Sequence, residues 1–233
     1  MRRGNELKGH RKVYIEINHK SGVYTPLKWY VYTEMLTKKQ LKVIDAFRKN
    51  LKEKLTAEQI KQITGIKSNN FLYKALSNCL QEGVLTTQSV GRSLLYTLEI
   101  NHTSSSYLGM IGFELYNLPI KILKEIETEV SKKTSFFTAV VFGSYAKGKP
   151  KKESDLDIAL IVQDKREIPI VEPVLESIKR REILSIHPYV FSASDFTKML
   201  EVDEENLGKQ IVSYHIVFYN PDLFYNLIKP WIH

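Results

Sequence analysis

The sequence predicts an α/β (α+β) fold in two unlike parts, a small helical module ending in a β-hairpin and a mixed sheet flanked by helices. Three observations carry this. Apolar residues alternate before residue 36 and then recur at helical spacing through residue 80. Two short apolar runs, Phe136–Phe142 and Leu156–Val162, are interrupted by a glycine-containing turn and a lysine-rich loop. The chain has 233 residues, 43% hydrophobic and 26% charged, which suits a globular protein large enough for two cores.

Residues 1–35 read VYIEI, NHKSG and VYTPLKWYVY, two alternating aromatic and β-branched runs around a turn-forming cluster, hence a β-hairpin extension. Residues 38–50 then place Leu41, Ile44 and Phe47 on one face of an amphipathic helix. Thr56 with Gln59 is a capping-box pattern opening a second helix that stops near Gly65. A third helix begins near Ser68. Its stripe of Leu72, Ala75, Leu76, Cys79 and Leu80 faces inward, leaving Asn69, Asn70, Tyr73, Lys74, Ser77 and Asn78 facing out. VLTTQ, a turn at residues 89–92 and SLLYTLEI complete this part as a two-stranded hairpin with Arg92 at its tip. Residues 101–106, NHTSSS, read as a polar linker. From Tyr107 to Lys133 the pattern is helical with a break at Pro119, and residues 107–233 form the second domain.

Composition narrows the partners. A formal net charge of +8 favours polyanions such as nucleic acid or nucleotide phosphates. A single cysteine, Cys79, gives no internal disulfide and no Cys-rich zinc site, in keeping with a reducing compartment. No apolar run reaches the roughly 20 residues of a membrane span, and the basic start lacks a secretory apolar stretch, so no membrane partner and a cytoplasmic location are expected.

The stretch that carries chemistry is VVFGSYAKGKPKKESDLDIALIV, residues 140–162. Side chains two apart on a strand share a face, so Asp155 and Asp157 project together while Leu156 and Ile158 bury. Two acids in one small volume repel unless a divalent cation joins them, and hard carboxylate oxygens suit Mg2+. Gly143 lets backbone approach a phosphate, and Ser144 at a helix start offers a hydroxyl and N–H groups to it. Lys147, followed by Lys149, Lys151 and Lys152, lies where it can offset triphosphate charge.

Two resemblances follow from these residues. ITGIKSNNFLYKALSNCLQEGVL, within residues 36–100, resembles a winged helix-turn-helix module. That resemblance implies double-stranded DNA bound through Asn69, Asn70, Tyr73, Lys74 and Ser77, a backbone contact from Arg92, and a homodimer reading two half-sites. FGSYAKGKPKKESDLDIAL resembles the signature of the DNA polymerase beta superfamily of nucleotidyltransferases: Gly-Ser, ten residues, then Asp-x-Asp, with Ser154 before the first acid. The resemblance covers roughly residues 107–225, and GKQIVSYHIVFYNPDLF looks like the closing helix and tail of archaeal-type members that carry a winged helix in front. It implies an NTP substrate or ligand, metal chemistry of the two-metal type at Asp155 and Asp157, phosphates seated by Gly143, Ser144, Lys147 and Ser154, and transfer of a nucleoside monophosphate to a hydroxyl. Some minimal members pair with a small helical toxin-type protein, which adds a possible partner class.

One departure bears on activity. Members of that superfamily generally carry a third carboxylate on the next strand, and in ILSIHPYVFS its place falls on His187, with Glu182 the nearest acid if the register differs. Imidazole is a poor Mg2+ ligand but can act as a base. Two functions are therefore carried forward: a nucleotidyltransferase, and a DNA-binding regulator whose second domain senses a nucleotide or supports dimerisation. Pro188 marks the same strand as an edge strand.

Overall fold

A computed structural model describes residues 36–232, so the hairpin expected in residues 1–35 lies outside the described residues. Helix α1 (Lys38–Arg48) opens on a reciprocal cap in which the Thr37 N–H donates to Gln40 Oε1 at 2.8 Å. Strand β1 (Leu55–Thr56) leads directly into α2 (Ala57–Thr64), where Thr56 and Gln59 form the expected capping box and Gly65, at φ 67°, ends the helix. Ser68 caps α3 (Asn69–Gln81) by accepting the Phe71 N–H. Leu72, Ala75, Leu76 and Cys79 are buried on α3, while Asn78 and Leu80, expected on opposite faces, are both half-buried.

Strands β2 (Leu85–Val90) and β3 (Ser93–Leu98) pair from Leu85↔Leu98 to Val90↔Ser93, leaving a two-residue turn at Gly91-Arg92, tighter than the four-residue turn expected. β1 adds to the other edge of β3, giving a three-stranded antiparallel sheet in the order β1-β3-β2. Two residues are too few to show an alternation, which is why β1 was not legible in the sequence.

The linker expected at residues 101–106 is corrected. Asn101 caps α4 (His102–Leu115): its side-chain oxygen accepts the Ser104 N–H at 3.0 Å, and its Nδ2 donates to the Gly83 carbonyl at 2.8 Å. Asn, Thr and Ser are favoured in flexible links and in helix caps alike, because their side chains bond nearby backbone; composition does not separate the two. Ser104 and Ser105 are buried, and α4 packs on α1 along one side and on strand β7 (His215–Tyr219) along another. Gly112 permits that approach, since a Cβ there would stand 2.2 Å from Ile216 Cγ2. One hydrophobic cluster consequently runs from Leu36 to Ile232 across both parts of the chain.

The second sheet contains β4 (Phe137–Phe142), β5 (Leu156–Val162), β6 (Ile186–Ser192) and β7, in the order β6-β5-β4-β7. β4 runs antiparallel to both β5 and β7, whereas β5 and β6 are parallel, so the sheet is mixed. β7 corrects the reading of residues 208–224 as a closing helix and tail: HIVFY inserts as a strand between α9 (Leu207–Ser213) and α10 (Pro221–Ile232). Five residues bounded by helices are held extended by pairing with β4, a long-range choice.

Helices α5 (Ile120–Ser131) and α7 (Ile168–Arg181) cover one face, where Ile122, Ile126, Leu175 and Ile178 meet Val141, Ile158 and Leu160. α4, α8 (Ala193–Glu201), α9 and α10 cover the other, meeting Val140, Ala159 and Ile161. Alternation along β5 therefore puts Asp157 on the second face, at the start of the strand and partly exposed. Among the described residues no helix is long and apolar enough to cross a membrane.

Candidate functional site

The site begins where β4 stops. A single helical turn, α6 (Gly143–Ala146), follows it, entered through Gly143 at φ 66°. A Cβ on Gly143 would lie 2.1 Å from Asp157 Oδ2, so the missing side chain is the space the carboxylate occupies. Gly143 was read as clearance for a phosphate; its first structural use is clearance for Asp157. The interlock places the Gly-Ser turn directly against the acid pair, although ten residues intervene in the chain.

β5 starts at Leu156, with Asp155 immediately before it. In the parallel register of β5 and β6, Asp157 stands opposite His187. His187 Nδ1 lies 3.8 Å from Asp155 Oδ2 and 3.7 Å from Asp157 Oδ1, beyond hydrogen-bonding range but within Coulombic range of both. The three side chains are 43%, 26% and 46% exposed, so all are reachable from solvent. Burial pushes the Asp157 carboxyl above its ordinary value; the His187 ring works against that shift and the Asp155 charge adds to it. Asp155 and Asp157 thus put two carboxylates in one partly exposed volume, with His187 the nearest basic group.

That donor set fits a hard divalent cation, with two carboxylates supplying oxygens and the remaining positions left to substrate or water. Among the described residues, no three His, Cys, Asp or Glu side chains converge on one metal position. His187 offers nitrogen, unsuited to Mg2+. Glu182, at the C-terminal cap of α7, precedes β6 and does not stand opposite Asp157.

The other expected site residues divide. Ser144 is half-buried within α6, next to Gly143. Lys147 ends α6 and is exposed, and its Nζ lies 5.0 Å from the Tyr214 ring centroid, on the aromatic face rather than on the acids. Ser154 is engaged within its own loop: its Oγ accepts the Lys151 N–H at 2.8 Å and its N–H donates to the Lys151 carbonyl at 3.1 Å. It closes the turn that delivers Asp155. Lys149, Lys151 and Lys152 are exposed. Away from this site, Asn69, Asn70, Tyr73, Lys74 and Ser77 all lie exposed on α3, and Arg92 is exposed at the β2–β3 turn.

Sequence reasoning did not single out Tyr116 or Tyr214. Tyr214 follows α9 and ends up under Lys147; Tyr116 follows α4, and a Cβ on Gly148 would meet its Cε1 at 3.1 Å. Neither has a local signature, because each meets the Gly-Ser loop only through the sheet and the helix packed on it.

Residues 124–223 match the family model described as Polymerase beta, Nucleotidyltransferase, a span running from within α5 into α10 and containing Gly143, Ser144, Asp155, Asp157 and His187. No curated protein matches the chain. Residues 124–223 thus carry a domain similar to the nucleotidyltransferase domain of the polymerase beta family.

Proposed function

We propose that the chain binds a nucleoside triphosphate with Mg2+ and transfers its nucleoside monophosphate to a hydroxyl acceptor. The observation carrying this is the interlock of Gly143 with Asp157, which packs a Gly-Ser turn against an exposed acid pair. Asp155 and Asp157 would hold the metal, which when bound polarises phosphate oxygens and offsets developing charge. Gly143 and Ser144 seat the phosphates, and Lys147, swinging from Tyr214, neutralises part of their charge. In the transfer, the acceptor oxygen bonds the α-phosphorus in line while the bond to the pyrophosphate oxygen breaks. His187, beside both carboxylates, takes the acceptor's proton.

The first part of the chain is proposed to be a winged helix that binds duplex DNA. Its support is the three-helix arrangement, the β1-β3-β2 sheet and the exposed polar face of α3 with Arg92 at the hairpin tip. A second reading is favoured by one observation: an imidazole stands opposite Asp157, in the place of the third carboxylate. In that reading the chain is a DNA-binding regulator whose second domain senses nucleotide without turning it over.

Calorimetric titration of ATP with Mg2+ into the wild type and into an Asp155→Ala/Asp157→Ala double variant tests the shared premise, and labelled NTP separates the readings. Binding by the wild type alone, with label released or transferred, supports the enzyme. Binding without turnover supports the nucleotide-sensing regulator, and no binding by the wild type removes the enzyme and the sensor, leaving a regulator whose second domain only supports dimerisation. Duplex DNA binding that does not weaken as salt rises would count against the DNA interface.

A further inference from the structure

We propose that Asp45, Arg48 and Tyr116 are positioning residues for the phosphate seat, holding the loop from Gly143 to Gly148 in register with the acid pair; this rests on the nucleotide reading above. Arg48 is fully buried at the end of α1, an expensive place for a guanidinium. Its Nε donates to Asp45 Oδ1 at 2.7 Å, its Nη2 donates to the Tyr116 hydroxyl at 2.6 Å, and its Nη1 donates to the His215 carbonyl. The Tyr116 hydroxyl in turn donates to Asp45 Oδ2 at 2.9 Å. Lys49 Nζ adds a second cation 2.9 Å from Asp45.

Two arms leave this cluster and both end on the Gly-Ser loop. Tyr116, its hydroxyl fixed by two bonds, lays its ring against Gly148, whose φ of 71° and missing Cβ let the loop close on the aromatic edge. Arg48 holds the carbonyl of His215, and His215 pairs with Phe142, the residue before Gly143. The residue before His215, Tyr214, carries Lys147 on its ring. The loop is thereby held at Phe142, at Lys147 and at Gly148.

A buried ion pair is a weak source of net stability, so a satisfied charged cluster here is better explained by the single geometry it imposes. Tyr116→Phe keeps the ring on Gly148 and removes the hydroxyl that orients it. Titration of Mg-ATP and of Mg-tripolyphosphate into this variant should show about tenfold weaker Kd for both at unchanged stoichiometry, the equivalent of one lost hydrogen bond. A merely structural role would lower the stoichiometry and leave Kd alone, so an unchanged Kd overturns the proposal. Should Tyr116→Phe not fold, Gly148→Ala disturbs the same contact from the exposed loop, with the same two outcomes. A wild type that binds neither probe overturns the nucleotide reading and this proposal with it, whereas wild-type binding with an unaffected variant overturns this proposal alone.

Discussion

The molecule holds two clusters of ionised side chains in opposite ways. Around Arg48, two cations, one carboxylate and a tyrosine are joined by bonds of 2.6 to 2.9 Å, with the Arg48 and Asp45 side chains 0% and 11% exposed. Around Asp157, two carboxylates and a histidine lie 3.7 and 3.8 Å apart, open to solvent and without a hydrogen bond between them. The first set is complete, and further ligands have nothing to add to it. The second is an arrangement awaiting a charge. Burial raises the Asp45 carboxyl, but the Arg48 and Lys49 charges outweigh this and hold it below its ordinary value. For Asp157 burial prevails. The same residue type is thus structural in one place and chemically available in the other, and what separates them is whether the protein supplies the counter-charge.

Substitutions should break the two clusters differently. The largest effect is expected for Asp157→Ala: Mg2+-dependent turnover of labelled NTP should fall about a thousandfold, since a metal at such a site supplies several kcal/mol. Its urea midpoint should stay the same or rise, because the raised carboxyl opposes folding at neutral pH. Asp45→Ala should do the reverse to stability, lowering it by about 3–5 kcal/mol by stranding the buried Arg48 charge. If the two variants lose stability equally, the contrast fails.

Gly143→Ala comes next. A methyl group would contest the position of Asp157 Oδ2 and occupy φ 66°, so roughly a hundredfold loss of turnover is expected, with about 1–2 kcal/mol of backbone strain. Urea unfolding and turnover measured side by side separate the two contributions.

A further effect is on pH dependence. His215 is fully buried beside the Arg48 cluster; its Nδ1–H donates to the Val212 carbonyl at 2.8 Å, which leaves Nε2 to accept from the Tyr225 hydroxyl at 2.9 Å. Burial, reinforced by the Arg48 charge, pulls the ring down to about 3 from an ordinary 6.5. Between those values the unfolded chain binds the extra proton, so the stability from neutral His215 is complete above pH 6.5 and lost as pH falls towards 3. Urea midpoints at pH 7, 5 and 4 should decline in the wild type and decline less in His215→Gln. A flat wild-type profile would remove this account of the cluster.

Much of the architecture was legible because it is written in local chemistry. Thr56 with Gln59, Gly65 and Ser68 each satisfy backbone groups within four residues, so the ends of α2 and the start of α3 follow from sequence spacing. The burial stripe of α3 follows from a 3.6-residue period, and the shared side of Asp155 and Asp157 from a two-residue one. The failures have one cause. NHTSSS became a cap instead of a linker, HIVFY a strand instead of a tail, and Leu55-Thr56, read only for the Thr56 cap, also a short strand, each with a partner distant in the chain. Ser154, expected at the phosphate, also accepts the Lys151 N–H within its own loop, a contact between residues three apart.

By itself the sequence determined the chemistry on offer: an acid pair, a Gly-Ser turn, a lysine-rich loop and a polar helical face, each set by spacings of a few residues and the fixed periods of helix and strand. Only the tertiary structure decided that Gly143 yields its Cβ volume to Asp157, that His187 stands opposite that acid, and that a buried arginine on α1 reaches across to the strand beside the Gly-Ser turn. Such contacts depend on strand register and on which helix covers which face, and these are settled by the burial of the whole chain rather than by any short segment of it.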